Sequence, residues 1–160
     1  SMKITIHAIG HFKESYWVSA QAEYQKRLKN YAEVEVIEYD DEPIPQKASE
    51  SIENKIKEAE SKKILAKLSS KDYVIALDLN AKEFDSITLS ENLEKWLNLG
   101  GSSIHFVIGG SLGLSDEMKK RANVRWTFSP LTFPHQLARI ILEEQLYRAF
   151  RIIHHEPYHK

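Results

Sequence analysis

A chain of 160 residues, 42% hydrophobic and 28% charged, can bury a sizeable core and has the composition of a soluble globular domain. Its formal net charge of -1 gives no bulk electrostatic reason to bind nucleic acid or a membrane, so an anionic partner would have to meet locally arranged basic groups. There is no cysteine, which excludes disulfides, thiolate nucleophiles and cysteine-ligated metal centres and fits a reducing compartment.

No apolar run approaches the roughly 20 residues that a membrane span needs. The opening Met2-Lys3-Ile4-Thr5-Ile6 is a strand pattern without the features of a signal peptide, so a cytoplasmic protein with no membrane partner is expected. Ser1 before Met2 reads as a scar of tag removal. No repeat or composition break divides the chain, and one domain over 1–160 is expected.

Lys3 to Ile9 predicts a first strand ending at Gly10. Trp17, Ala20, Tyr24 and Leu28 recur every three or four residues and predict an amphipathic helix over 16–28. Alternation over 32–39 predicts a second strand, and Asp40 to Pro45 a solvated connector. A Glu/Lys-rich helix follows over 49–68, with Ile52, Ile56, Ala59, Lys63 and Ala66 near one stripe. Tyr73 to Asp78 is apolar nearly throughout, as expected of a strand buried on both faces. Leu89 to Leu99 predicts a helix with Ser90 as N-cap, stopped by Gly100-Gly101. A fourth strand over 104–108, a short helix over 116–122 and a fifth strand over 124–128 come next. Pro134 then suits the first turn of a helix running to about Ile153. This alternation predicts an α/β fold: a mainly parallel sheet with helices on both faces.

Two loops leave the carboxyl ends of strands, where open α/β sheets bind ligands. Gly109-Gly110-Ser111-Leu112-Gly113 lacks the Lys and Ser/Thr of a phosphate-binding loop and is only a fragment of a dinucleotide fingerprint. It is either a plain tight turn or a place where a ligand approaches bare backbone. Phe128-Ser129-Pro130-Leu131-Thr132-Phe133-Pro134 carries no charge. It is either a buried connection or the backbone-rich apolar wall of a pocket for a neutral purine.

The last helix carries Leu137, Ile140, Ile141, Leu142, Leu146, Tyr147, Phe150 and Ile153, a wider apolar arc than one buried face requires. A central position or burial against a second subunit would account for it. The chain ends with His154, His155, Glu156, Tyr158, His159 and Lys160. A terminal tail lacks the rigid frame of a metal site, so no metal is expected. A basic aromatic tail that folds over a substrate and stacks on bases competes with simple fraying. By residue chemistry alone, the reading stops at a ligand-binding α/β domain.

Four motifs in order carry a resemblance beyond that point: Phe106 to Leu114, Ser129 to Gln136, Leu146-Tyr147-Arg148-Ala149 and Pro157-Tyr158-His159-Lys160. Together with Lys3 to Ile6 and Tyr16-Trp17, they resemble the ribosomal RNA large subunit methyltransferase H family of the SPOUT superfamily. The resemblance spans essentially the whole chain. It implies an α/β fold with a C-terminal trefoil knot, a homodimer, and methyl transfer from S-adenosylmethionine to N3 of a pseudouridine in 23S rRNA of the assembled ribosome. It also implies cofactor contacts at Leu77, Gly109, Phe128, Ser129, Pro130, Leu131, Thr132 and Phe133.

Residue chemistry adds roles within that reading. His159 is a candidate base for the N3 proton, which could also leave by ionisation of the nucleobase. Tyr158 could stack on or bond the base. Arg139, Arg148, Arg151 and His155 are candidates to face substrate RNA, with Arg139 also a candidate catalytic group. Two readings from other classes remain: a non-catalytic ribosome- or RNA-associated module of the same fold, and a flavodoxin-like nucleotide-binding domain.

Overall fold

The computed structural model describes residues 1–160. Five parallel strands stand in the order β2-β1-β4-β3-β5, with β1 at Lys3–Ile9, β2 at Glu33–Tyr39, β3 at Tyr73–Glu83, β4 at Ser103–Ile108 and β5 at Val124–Thr127. Helices alternate with them: α1 at Ser15–Leu28, α2 at Glu50–Leu65, α3 at Ser86–Leu99, α4 at Asp116–Arg121 and α5 at His135–Ile153. The expected class is what the chain forms.

Side-chain alternation along the strands divides the core in two. Ile4, Ile6, Ile104 and Phe106 meet Leu28 of α1, Leu93 of α3 and Leu146 and Phe150 of α5 on one face. Ile9, Val74, Ala76 and Val107 meet Ile64 of α2 and Met118 of α4 on the other. Hence helices cover both faces, and β1, β3 and β4 are apolar along most of their length. No helix of the structure is long and apolar enough to cross a membrane.

Several boundaries depart from the sequence reading. α3 starts at Ser86 rather than Leu89, and its cap is Asp85, whose carboxylate accepts from Thr88 N–H at 2.8 Å. Ser90 is instead inside the helix, donating to Ile87 O. The β-branched pair Ile87-Thr88 obscures this start, because such residues favour strands while a good cap overrides them. β3 continues past Asp78 to Glu83, resuming its pairing with β5 after a register shift between Leu77 and Lys82. In α2 the buried stripe is Ile56, Glu60, Ser61 and Ile64, not one through Ile52, which is exposed. Glu60 is buried because it has work there: its carboxylate accepts from Glu42 N–H at 2.8 Å and fixes the acidic connector.

α5 ends in a Schellman turn. Glu156 N–H donates to Arg151 O at 2.8 Å and His155 N–H to Ile152 O at 3.0 Å, with His155 at φ 56°. That turn sends the final residues back along α5.

Candidate functional site

A concavity of about 580 Å³ lies beyond the carboxyl ends of β3, β4 and β5. That is within the range of small-molecule sites. Its walls are the strand end at Leu77–Asn80, the glycine loop 109–114, the uncharged loop 127–134 and the first turn of α5 at His135 and Ala138. Both loops singled out in the sequence therefore face one another across a single pocket.

The glycine loop is a tight turn that also forms one wall of the cavity. Gly113 N–H donates to Gly110 O at 3.0 Å, and Gly113 takes φ +88°. A Cβ on Gly109 would lie 2.8 Å from the Gly113 carbonyl carbon, so the turn closes only on a bare α-carbon. A Cβ on Gly110 would lie 3.1 Å from a Glu60 carboxylate oxygen. Glu60 thus packs behind the loop as well as fixing the connector after β2, and burial raises its pKa.

Of the residues expected to touch a cofactor, Leu77, Gly109, Phe128, Leu131, Thr132 and Phe133 line the cavity. Ser129 and Pro130 are in the same loop but outside the lining. Ser129 shapes the loop, its hydroxyl accepting from Leu131 N–H at 3.0 Å and its carbonyl from the Thr127 hydroxyl at 2.9 Å. Sequence reasoning missed Asp78, Lys119 and His135. Asp78 is nearly buried at the pocket edge, 3.6 Å from Lys119 Nζ and 3.3 Å from Arg125 Nη1. An acid ending an apolar strand was the signal that could have found it. His135 reaches the glycine that ends β1, and burial lowers its pKa.

The tail candidates form a second group, outside the cavity of their own chain. The Tyr158 hydroxyl donates to Glu144 at 2.8 Å, Arg148 donates to Glu144 at 2.8 Å, and Arg148 Nη1 donates to His159 Nδ1 at 3.2 Å. Tyr158 also packs edge-on against Tyr147, with the Arg148 guanidinium over its ring. Desolvation, and then the Glu144 carboxylate, push the Tyr158 hydroxyl up to about 12. From Ala138 at the pocket to Glu144 is six helical residues, roughly 9 Å at 1.5 Å each. The tail of one chain is therefore folded and held, not frayed, yet stands apart from its own pocket.

Arg151 is paired with Glu156 at 3.2 Å, and Tyr31 donates to the same carboxylate at 2.6 Å. His155 is exposed at the Schellman turn. Arg139 is in neither group: it is 1% exposed, donates to Glu38 and to Gly10 O, and lies 3.9 Å over the Phe12 ring. No group of three or more His, Asp or Glu side chains is placed to hold a metal ion.

Comparison with known proteins agrees with the geometry. The family model described as "Predicted SPOUT methyltransferase" matches residues 2–159. Proteins named ribosomal RNA large subunit methyltransferase H are similar along their whole length. A Clostridium perfringens relative (numbered H 1) is 51% identical over 99% of this chain and 100% of its own. Those of Clostridium acetobutylicum and Enterococcus faecalis are 50% and 45% identical, with the same coverage. A loop pair walling one pocket at the ends of parallel strands, and a match over all but the terminal residues, lead to one assignment: the chain belongs to the ribosomal RNA large subunit methyltransferase H family of SPOUT methyltransferases.

Proposed function

We propose that this chain transfers a methyl group from S-adenosylmethionine to N3 of a pseudouridine in 23S rRNA of the assembled ribosome. The observation that carries the reading is the cavity shared by the glycine loop and the uncharged 127–134 loop. Exposed backbone groups in an apolar wall suit a neutral adenine, and Asp78 and Lys119 offer a carboxylate and an ammonium at the edge to the polar groups of the cofactor. The cavity volume and this donor set fit the group.

A sulfonium methyl is already electrophilic, so the chain needs to align an in-line attack and let one proton leave. The 109–114 and 128–133 loops would hold and orient the cofactor, with Leu77 under it. Tyr158 and His159 would meet the nucleobase. Because their own chain holds them away from its cavity, a second copy would supply them, and the enzyme would work as a homodimer. Leu79 and Leu131, exposed at the cavity mouth, and half-buried Ile141 on α5 supply apolar surface for that contact. In this reading residues 1–160 form one cytoplasmic methyltransferase domain with a trefoil knot in its C-terminal half.

The test is transfer of labelled methyl to assembled ribosomes, free large subunits and naked rRNA from cells lacking the modification. Label at the pseudouridine of assembled ribosomes is the expected result. No transfer to any of the three would remove the proposal.

A further inference from the structure

The Glu144–Arg148–Tyr158–His159 group settles a chemical property of His159 that the bare sequence left open. A guanidinium has five N–H donors and no acceptor. The Arg148 Nη1 to His159 Nδ1 contact at 3.2 Å therefore requires an Nδ1 lone pair, which places the hydrogen of a neutral ring on Nε2. Arg148 cannot swing away freely, because its other terminal nitrogen is bonded to Glu144 and its plane covers the Tyr158 ring. The ring is half-buried, and Nε2 has no partner within the chain.

We propose that His159 is a hydrogen-bond donor to the nucleobase and not the acceptor of its proton. N3 of a pseudouridine lies between two carbonyl groups, and loss of its proton spreads negative charge onto their oxygens. An Nε2–H aimed at one of them stabilises that anion as it forms, as donors in an oxyanion hole do. The N3 proton goes to hydroxide or water of the solvent. Its electron pair forms the new N–CH3 bond, the S–CH3 bond breaks with its pair returning to sulfur, and His159 keeps its hydrogen throughout. Arg148 and Glu144 are positioning residues that fix the tautomer, while Tyr158 braces them. All four side chains belong to one copy, so they would travel together to the pocket of another. The charged groups facing His159 are Arg148, with Glu144 behind it on α5, and Asp85 at the start of α3.

This inference rests on the proposed methyl transfer, and the experiment separates the two. Long-range proton–nitrogen spectra of the labelled intact protein, with His159 assigned by its disappearance in His159→Gln, are expected to show the Nε2–H form. Arg148→Ala is expected to give mixed tautomers. In single-turnover methylation of assembled ribosomes at saturating cofactor, His159→Ala is expected to lose about 10²–10³-fold. Glutamine can present an N–H near the Nε2 position, so His159→Gln is expected to regain all but about tenfold of that loss. Cofactor affinity by calorimetry, unchanged in both variants, serves as the folding control. An Nδ1–H ring overturns the proposal, as does a His159→Gln variant no faster than His159→Ala. A wild-type chain inert on every ribosomal substrate overturns the methyl-transfer reading itself, and this proposal with it.

Discussion

Arg139 and Glu38 form an ion pair with its cation fully inside the protein, joining the first turns of α5 to the end of β2. The partners are unequally buried, at 1% and 30% side-chain exposure, and Glu38 has a second hydrogen-bond partner in His11. Removing the carboxylate should therefore cost more than removing the guanidinium, because it strands a buried charge. Glu38→Gln is expected to lose about 3 kcal/mol and Arg139→Met about 1–2 kcal/mol in urea unfolding at neutral pH. The opposite order would mean that Arg139 is held mainly by Gly10 O and the Phe12 face.

One turn further along α5, Glu143 is wholly buried and neither of its oxygens has a partner. Desolvation pushes its pKa up to about 8, against a smaller downward pull from Arg139. The folded state thus holds a proton that the unfolded chain loses in the ordinary carboxyl range. Stability from this group is complete below that range and falls as pH rises, by up to about 1.4 kcal/mol per pH unit, until roughly pH 8. Glu143→Leu should abolish this component and exceed the parent at pH 9 by about 2 kcal/mol or more. Guanidinium unfolding at several pH values measures it, and parallel profiles for the two proteins would count against a neutral Glu143.

How much of this was open to sequence reasoning follows from what each feature depends on. Ten elements in alternation were legible because hydrophobic period and the Gly and Pro punctuation are local. The two pocket loops were legible for the same reason: each is unusual by itself. Asp85 as a cap was missed because strand-favouring residues follow it. Arg139 read as a catalytic or RNA-facing candidate because nothing local reveals Glu38, 101 residues away in sequence. Glu144 carried no signal either, as a glutamate on a helix is ordinarily solvated. Its importance comes from a chain reversal at His155, where the left-handed conformation is normally the province of glycine.

Gly109 and Gly113 should respond differently to the same substitution. Gly113→Ala meets nothing within 4 Å but must hold φ +88°, a strain of about 1 kcal/mol that leaves the pocket open. Gly109→Ala drives a Cβ into the Gly113 backbone at 2.8 Å, so the loop itself must move. S-adenosylmethionine titration by calorimetry is expected to show at least about tenfold weaker binding for Gly109→Ala than for Gly113→Ala, because only the former displaces a cavity wall. Equal affinities would detach the glycine loop from the cofactor.

The tail is tied to α5 by the Tyr158–Glu144 and Arg148–His159 bonds and lines no part of its own chain's cavity. Deleting Tyr158 to Lys160 is therefore expected to abolish methyl transfer while leaving cofactor affinity within about threefold of the parent, a difference of roughly 0.6 kcal/mol. Transfer assays beside calorimetry on the same preparation test both halves. Unchanged transfer would remove the tail from the reaction.

Salt dependence of ribosome binding should be shallow, and the arginines say why. All six are already engaged: Arg27 with Glu23, Arg125 with Asp78, Arg139 with Glu38, Arg148 with Glu144, Arg151 with Glu156, and Arg121 with the carbonyls of Ser69 and Asp72. The more exposed pairs break at little cost. Each ion pair that breaks, however, frees a carboxylate beside the incoming phosphate, so its net gain is small. Lysines must then supply most phosphate contacts, against a net charge of -1. With a slope near 0.7–0.9 per neutralised phosphate, log affinity against log salt is expected to fall no more steeply than about -3. Filter binding of ribosomes from 50 to 300 mM potassium chloride, concentrations spanning roughly 14 to 6 Å in screening length, measures this slope. A value near -6 or beyond would require a basic surface assembled only in the complex, and would shift recognition from the shape of a preformed ribosomal site to its phosphates.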